Sequence, residues 1–327
     1  MNWSAQKPPS DNIAVVERKI LVLIDGNSLL HRAYHAYPRL TTPAGELVGA
    51  VYGFTTMLLT ALEKLAPQYV AIAWDVGKVT FRTAEYALYK AGRPETEQEL
   101  IDQIERTKEI VTALNIPQFG VDNYEADDVI GTLSRQAIEG AGKVQVIIVT
   151  GDRDALQLVD DDKIVVYMPS GGGASSRYIK DRGVSLFDEE AVKAKYGLSP
   201  KQVTDLKGLM GDPSDNIKGV PGVGQVTATK LLQEAGSVEK VYEDVGKLSV
   251  TERIKNLLKE GRESAFLSKK IATIDRDIPI KLSWEECELS NYDREKVLAI
   301  FEELRFKSLI NKLPKDKWEE DLEHVFG

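Results

Sequence analysis

Cysteine is almost absent: Cys287 is the only one in 327 residues. That excludes a disulfide framework and any cysteine-built zinc site, and it fits a reducing cytoplasm. Histidine is scarce as well, with three in the chain. His31 and His35 stand four apart, but without a glutamate after the first they do not make the zinc-protease motif. Histidine is an uncommon partner for hard ions, so packing or hydrogen bonding is expected of this pair. No apolar run approaches the roughly 20 residues needed to span a bilayer, so no membrane partner is expected. The opening MNWSAQKPPSDN is polar and proline-containing, with no apolar stretch behind a basic start. It reads as a loose tail over residues 1–18, not as a signal peptide. A P-loop, a Ser–His–Asp arrangement and an internal repeat of fixed period are all missing.

What is present describes a folded chain. An apolar content of 43% over this length can bury a sizeable core, as one large domain or two smaller ones. A charged fraction of 28% with frequent Val, Ile and Leu argues against disorder. The formal charge of −9 looks wrong for a partner that is a polyanion, unless the acids are concentrated in one place.

Strand and helix signals alternate along the first half. Residues 20–24, 69–74 and 144–150 are short, continuously apolar and rich in β-branched side chains, the pattern of strands buried on both faces. Between them, residues 29–36, 51–65, 100–114 and 126–138 carry apolar residues at helical spacing. The alternation predicts an α/β fold with a mostly parallel central sheet flanked by helices. Residues 19–185 form this unit. A flexible Gly/Ser loop is expected at 169–176. Residues 186–327 are mainly helical, with segments at 188–196, 200–210, 225–233, 250–271 and 294–304. Trp74 is expected in the core.

All three strands end in aspartate: Asp25, Asp75 and Asp152, the last followed by Asp154. One such aspartate is an ordinary turn or cap residue. Three in register lie where open α/β sheets bind ligands. Glu125, Asp127 and Asp128 open the helix at 126–138, and three acids in four positions exceed what capping needs. Glu125 and Asp128 share a helix face, where two anions repel unless a cation sits between them. Asp212 and Asp215 stand in the turn GDPSDN. Together these nine carboxylates suit Mg²⁺ or Mn²⁺ and not zinc, in a number right for two or three ions. Without them the chain is formally neutral, so its acidity no longer argues against a DNA partner.

The segments IDGNSLLHRAYHAYP, EADDVIGTL, TGDRDALQLV and MGDPSDNIKGVPGVGQVTATKLL resemble the 5′-nuclease domain at the N-terminus of bacterial DNA polymerase I, and the wider flap endonuclease family, from about residue 19 to about residue 313. The resemblance implies that all nine carboxylates are metal ligands and that the fold is PIN-like. It places a helical arch over about residues 76–100, where Lys78, Arg82, Lys90 and Arg93 outnumber Glu85 up to residue 94. Lys90, Arg93 and Arg32 would then act at the scissile phosphate, and Arg82 and Tyr89 would contact DNA. It also implies a duplex-binding helix–turn–helix over about residues 200–236. Gly222, Gly224, Gln225, Thr227 and Lys230 would meet DNA there, with a potassium ion held beside a phosphate. Glycines and a free helix N-terminus suit that contact on physical grounds too, and residues 201–270 hold twelve Lys/Arg against ten Asp/Glu.

The activity implied is structure-specific 5′ nuclease cleavage by two-metal phosphodiester hydrolysis, with ions ~4 Å apart. Glu125, Asp127, Asp128, Asp152 and Asp25 are expected in the tighter inner set, and Asp75, Asp154, Asp212 and Asp215 in an outer one. The implied substrates are DNA flaps, nicks and junctions, and RNA primer–DNA hybrids. The implied setting is Okazaki-primer removal and repair in a bacterial cytoplasm, associated with the nucleoid, with a polymerase in cis or in trans. Three rivals share parts of the pattern. A haloacid-dehalogenase-type phosphatase also uses strand-end aspartates, but it needs a second aspartate two residues on, and Asp25 is followed by Gly26 and Asn27. A PIN-type ribonuclease would not need residues 200–240 as a duplex clamp. A non-catalytic DNA-binding module would not need nine intact carboxylates.

Overall fold

The computed structural model describes residues 18–77, 79–93, 95–140, 144–161, 163–169, 184–289 and 292–314. Nearly all of the expected N-terminal tail, most of the Gly/Ser loop and Lys78 lie outside the described residues. The strands are β1 (Lys19–Asp25), β2 (Tyr69–Ala73), β3 (Gln118–Phe119), β4 (Val144–Val149), β5 (Ile164–Pro169) and β6 (Val184–Phe187). The first-half helices are α1 (Gly26–Ala36), α2 (Gly49–Leu65), α3 (Phe81–Glu85), α4 (Gln98–Ala113) and α5 (Ala126–Glu139). The second half holds α6 (Glu189–Tyr196), α7 (Val203–Met210), α8 (Gln225–Ala235), α9 (Val238–Glu243), α10 (Glu252–Glu260), α11 (Arg262–Ala272) and α12 (Arg294–Glu303).

The six strands form one sheet in the order β3-β2-β1-β4-β5-β6, parallel throughout except for the antiparallel edge strand β6. The expected mostly parallel sheet is thus observed, with three strands more than the sequence patterns marked. Val22 and Ile24 of β1 point into one core with α1, α2, α4 and α12. Leu21 and Leu23 point into a second with α5. Burial on both faces is why this strand is apolar without alternation from Ile20 to Ile24. A third core joins α7 to α11.

The strand order reverses at β1, which lies between β2 and β4. The crevice at a doubly wound sheet's switch point opens at the carboxyl ends of such strands, here Asp25 and the segment after Val149. Trp74 is core, as expected: it is 4% exposed, stacks on Phe54, and its indole N–H donates to Gln118 at 2.8 Å. A Cβ on Gly26 would stand 2.6 Å from the Trp74 ring, so the first residue of α1 has no room for a side chain.

Two expectations change. Residues 250–271 form two helices that meet at Gly261, where a Cβ would stand 2.8 Å from Val220. Among the described residues of the expected arch, the short α3 is followed by a run of turns before α4 opens at Gln98, and Lys90 takes a left-handed φ of 54°.

Candidate active site

Five carboxylates line one cleft of about 720 Å³ at the switch point: Asp25, Asp75, Glu125, Asp127 and Asp152. Arg32, Lys90 and Arg93 line it with them. Each acid is placed by local chemistry. Asp25 ends β1 and caps α1, accepting from Ser28 N at 2.9 Å and from the Thr150 hydroxyl at 2.8 Å. Asp75 follows β2 and accepts from Ala126 N at 2.7 Å, so it also holds the start of α5. Its own N–H donates to Asn27 Oδ1 at 2.9 Å. Asp152 follows β4 and accepts from Asp154 N at 2.9 Å.

Glu125 and Asp128 form a capping box at the start of α5, with Glu125 N donating to Asp128 Oδ2 at 3.0 Å. The cation that two such anions require is a side chain. Arg82 donates to both Asp128 oxygens at 2.7 Å and lies 3.6 Å from Glu125. Its other N–H groups donate to the carbonyls of Ile271 and Thr273, both at 2.9 Å. Arg82 is 2% exposed and Asp128 fully buried. Both therefore depart from their expected roles. Arg82 has no surface to offer DNA, and Asp128, which also accepts from Asp275 N, does not line the cleft. Asp75, expected in the outer set, takes a place there instead. Tyr89, also expected at DNA, is buried; its hydroxyl donates to Glu125 at 3.1 Å.

The other acids are held by cations. Lys207 bridges Asp154 and Asp212, at 2.6 Å from the latter. Arg93 pairs with Asp215, and Lys90 lies 3.0 Å from Glu125. The nine are not packed into a tight knot. Among the described residues, the one group of three acids whose oxygens all lie within 4.8 Å of one another is Asp160, Asp161 and Glu189, away from the cleft. The electrostatic strain of the cleft is nevertheless evident. Burial pushes the Asp25 carboxyl up to about 7, against its hydrogen bonds, with Asp75 and Asp152 adding repulsion. Burial and Asp152 push Asp154 up to about 7 against the opposing Lys207. Asp127 is raised well above the ordinary range by burial, then by Asp152, Asp25, Asp154 and Glu125. Burial acts the same way on Asp212, but the Lys207 ammonium and the Ser214 hydrogen bonds outweigh it and hold that acid low.

These donors fit a hard divalent cation. They are all carboxylate oxygens, they repel one another, and Asp127 Oδ1 is buried without any hydrogen-bond partner. A buried carboxyl oxygen left unpaired is costly, and a cation in the cleft would give it a partner. Lys207 and Thr150 escaped the sequence reading. Lys207 lies five residues before Asp212 on α7, and Thr150 is a buried hydroxyl at a strand end; neither spacing has a motif of its own.

In the second half, α7 and α8 flank the Gly219–Gly224 turn. Gly222, Gly224, Gln225 and Lys230 are exposed and Thr227 is half-buried. Val226 is 72% exposed on the first turn of α8. No helix among the described residues is long and apolar enough to cross a membrane.

Residues 20–197 match the family described as 5′-3′ exonuclease, N-terminal resolvase-like domain, and residues 198–295 match the 5′-3′ exonuclease, C-terminal SAM fold. The DNA polymerase I of Chloroflexus aurantiacus is 46% identical over 302 residues, covering 90% of this chain and 31% of the polymerase. That of Bacillus caldotenax is 44% identical over 304 residues, covering 93% of this chain and 33% of the polymerase. The chain thus spans about a third of the length of these curated relatives. Among solved structures, the bacteriophage T5 flap endonuclease in a pseudo-enzyme–product complex with DNA and metal ions shares the fold, with a TM-score of 0.62 at 17% identity over 90% of this chain and 98% of that one.

Proposed function

The chain belongs to the 5′-3′ exonuclease family, and on that premise we propose that it is a structure-specific 5′ nuclease cutting DNA near junctions of single strand and duplex. The observation that carries this reading is the convergence of five carboxylates with Arg32, Lys90 and Arg93 in one cleft. A phosphodiester is an anion that needs both a hard-cation site and fixed positive charge, and this cleft offers both. We assign the cations as Mg²⁺, with Mn²⁺ as substitute; bound there, they would activate a nucleophile and offset charge on phosphorus. Asp25, Asp75, Glu125, Asp127 and Asp152 would hold them from the cleft wall. Asp154, Asp212 and Asp215 would complete the set once Lys207 and Arg93 move aside. Lys90, Arg93 and Arg32 would orient the phosphate. Arg82 and Asp128 are positioning residues: together they set the first turn of α5, from which Glu125 and Asp127 project.

The exposed glycine turn before α8 supports a duplex-backbone contact at Gly222, Gly224, Gln225, Thr227 and Lys230, with K⁺ as its ion. That contact favours a junction-cutting enzyme over a small-molecule phosphatase or a PIN-type ribonuclease. The substrates would be 5′ flaps and nicks, including RNA primer–DNA hybrids, in Okazaki-primer removal and repair. Given relatives about three times as long, a polymerase in cis is the natural partner, in the bacterial cytoplasm at the nucleoid. Purified protein with Mg²⁺ should release 5′-phosphorylated products from flap and nicked duplexes. Failure to cut either one with Mg²⁺ or Mn²⁺, or unchanged cutting by Asp127→Asn, would sink the reading.

A further inference from the structure

His31 and His35 belong to neither the carboxylate set nor the cationic residues assigned to the phosphate. They sit one turn apart on α1, with their Nε2 atoms 3.4 Å from each other and their rings edge to face. That separation is long for an N–H···N hydrogen bond. It is close to the edge of a tetrahedral metal site: with metal–nitrogen bonds of roughly 2.0–2.1 Å, two imidazole nitrogens stand about 3.3–3.4 Å apart. The i,i+4 spacing on a helix is itself the one by which paired histidines ligate zinc. His31 also lines the active cleft, and both rings are solvent-accessible.

We propose that His31 and His35 form a two-imidazole clip for a borderline divalent cation of the zinc class. The clip is chemically separate from the carboxylate centre, because nitrogen donors select such ions while the carboxylates select hard ones. Two of four tetrahedral positions would remain for water or for a phosphate oxygen entering the cleft. The missing glutamate of the zinc-protease motif makes the clip a binding site and not a hydrolytic one. Its consequence is that zinc has a landing point beside the phosphate path even when Mg²⁺ fills the carboxylates.

The test uses the full chain with saturating Mg²⁺ and Zn²⁺ as the titrant, followed through the imidazole resonances. With only three histidines in the chain, the signals separate readily. The expected result is that the His31 and His35 signals move together and saturate at one zinc per chain. His31→Gln and His35→Gln should each weaken that binding by about tenfold or more, since each imidazole gives the other a high effective concentration. Asp152→Asn should leave it in place. Independent movement of the two signals, a joint shift that survives in either glutamine variant, or loss of the shift in Asp152→Asn would overturn the proposal. Circular dichroism of each variant separates loss of the clip from loss of the fold.

Discussion

Asp25 and Asp154 carry carboxyls raised to about 7, and the sign of the pH dependence follows from that. An acid that holds its proton more tightly folded than unfolded contributes stability that is fully present below its ordinary range. That contribution is lost as pH rises through the folded value. Metal-free protein should therefore lose this contribution between about pH 4 and 7. Asp212, held low, acts in the opposite sense, and only at the acid edge of that window. On the proposed metal assignment Mg²⁺ would have to displace those protons, so the gain in melting temperature on adding Mg²⁺ should grow from about pH 5 to about pH 8. A gain that is flat or shrinks with pH, measured calorimetrically, would count against metal binding at these two acids. The strand-end aspartates were legible in the sequence because an apolar run and the residue that stops it are both local patterns. The role of Asp128 was not. Whether an acid faces a cleft or an arginine depends on α3, which lies more than forty residues earlier.

The start of α5 is built by its neighbours as much as by itself. Arg82 from α3 pairs with Asp128 and is itself held by carbonyls at the end of α11, so three separate elements fix the turn that presents Glu125. Arg82→Met should destabilise the fold by about 3–5 kcal/mol in chemical denaturation, because it leaves a buried carboxylate unpaired. A loss under 1 kcal/mol would mean that Asp128 is not a buried anion. The glycine turn makes a second contrast. Gly219 has a φ of 61°, and a Cβ there would lie 2.2 Å from the backbone nitrogen of Gly211, whereas one on Gly224 would meet nothing. Gly219→Ala should cost about 1–3 kcal/mol. Gly224→Ala should change stability by no more than about 0.5 kcal/mol yet weaken duplex binding, read by fluorescence anisotropy. Equal effects of the two on stability would refute this division. Helix periodicity made α7 and α8 readable, but β3 with two residues and β6 at the sheet edge are too short to show a period. The split between α10 and α11 falls at Gly261, a glycine packed against Val220, and that long-range contact is in no local pattern.

Across the whole molecule, the two halves share apolar cores, and at the cleft they also meet through charge. Lys207 of α7 reaches Asp154 after β4, and Arg93 and Lys90 reach from the arch segment to Asp215 and Glu125. Lys207→Met should lower the stability of metal-free protein and enlarge the thermal gain on adding Mg²⁺, since it removes the side chain that now neutralises Asp154 and Asp212. Equal losses with and without Mg²⁺ would give Lys207 a packing role only. These ammonium and guanidinium groups act as internal counter-ions, and their presence has a thermodynamic cost and a return. On the proposed function, each ion-paired acid that took an external ion would release its cationic side chain, and a released cation would be available to phosphate. Loading and substrate capture would then be linked functions. By reciprocity, the factor by which Mg²⁺ tightens DNA binding must equal the factor by which DNA tightens Mg²⁺ binding. The nuclease would be a poor holder of either partner alone and a good holder of both.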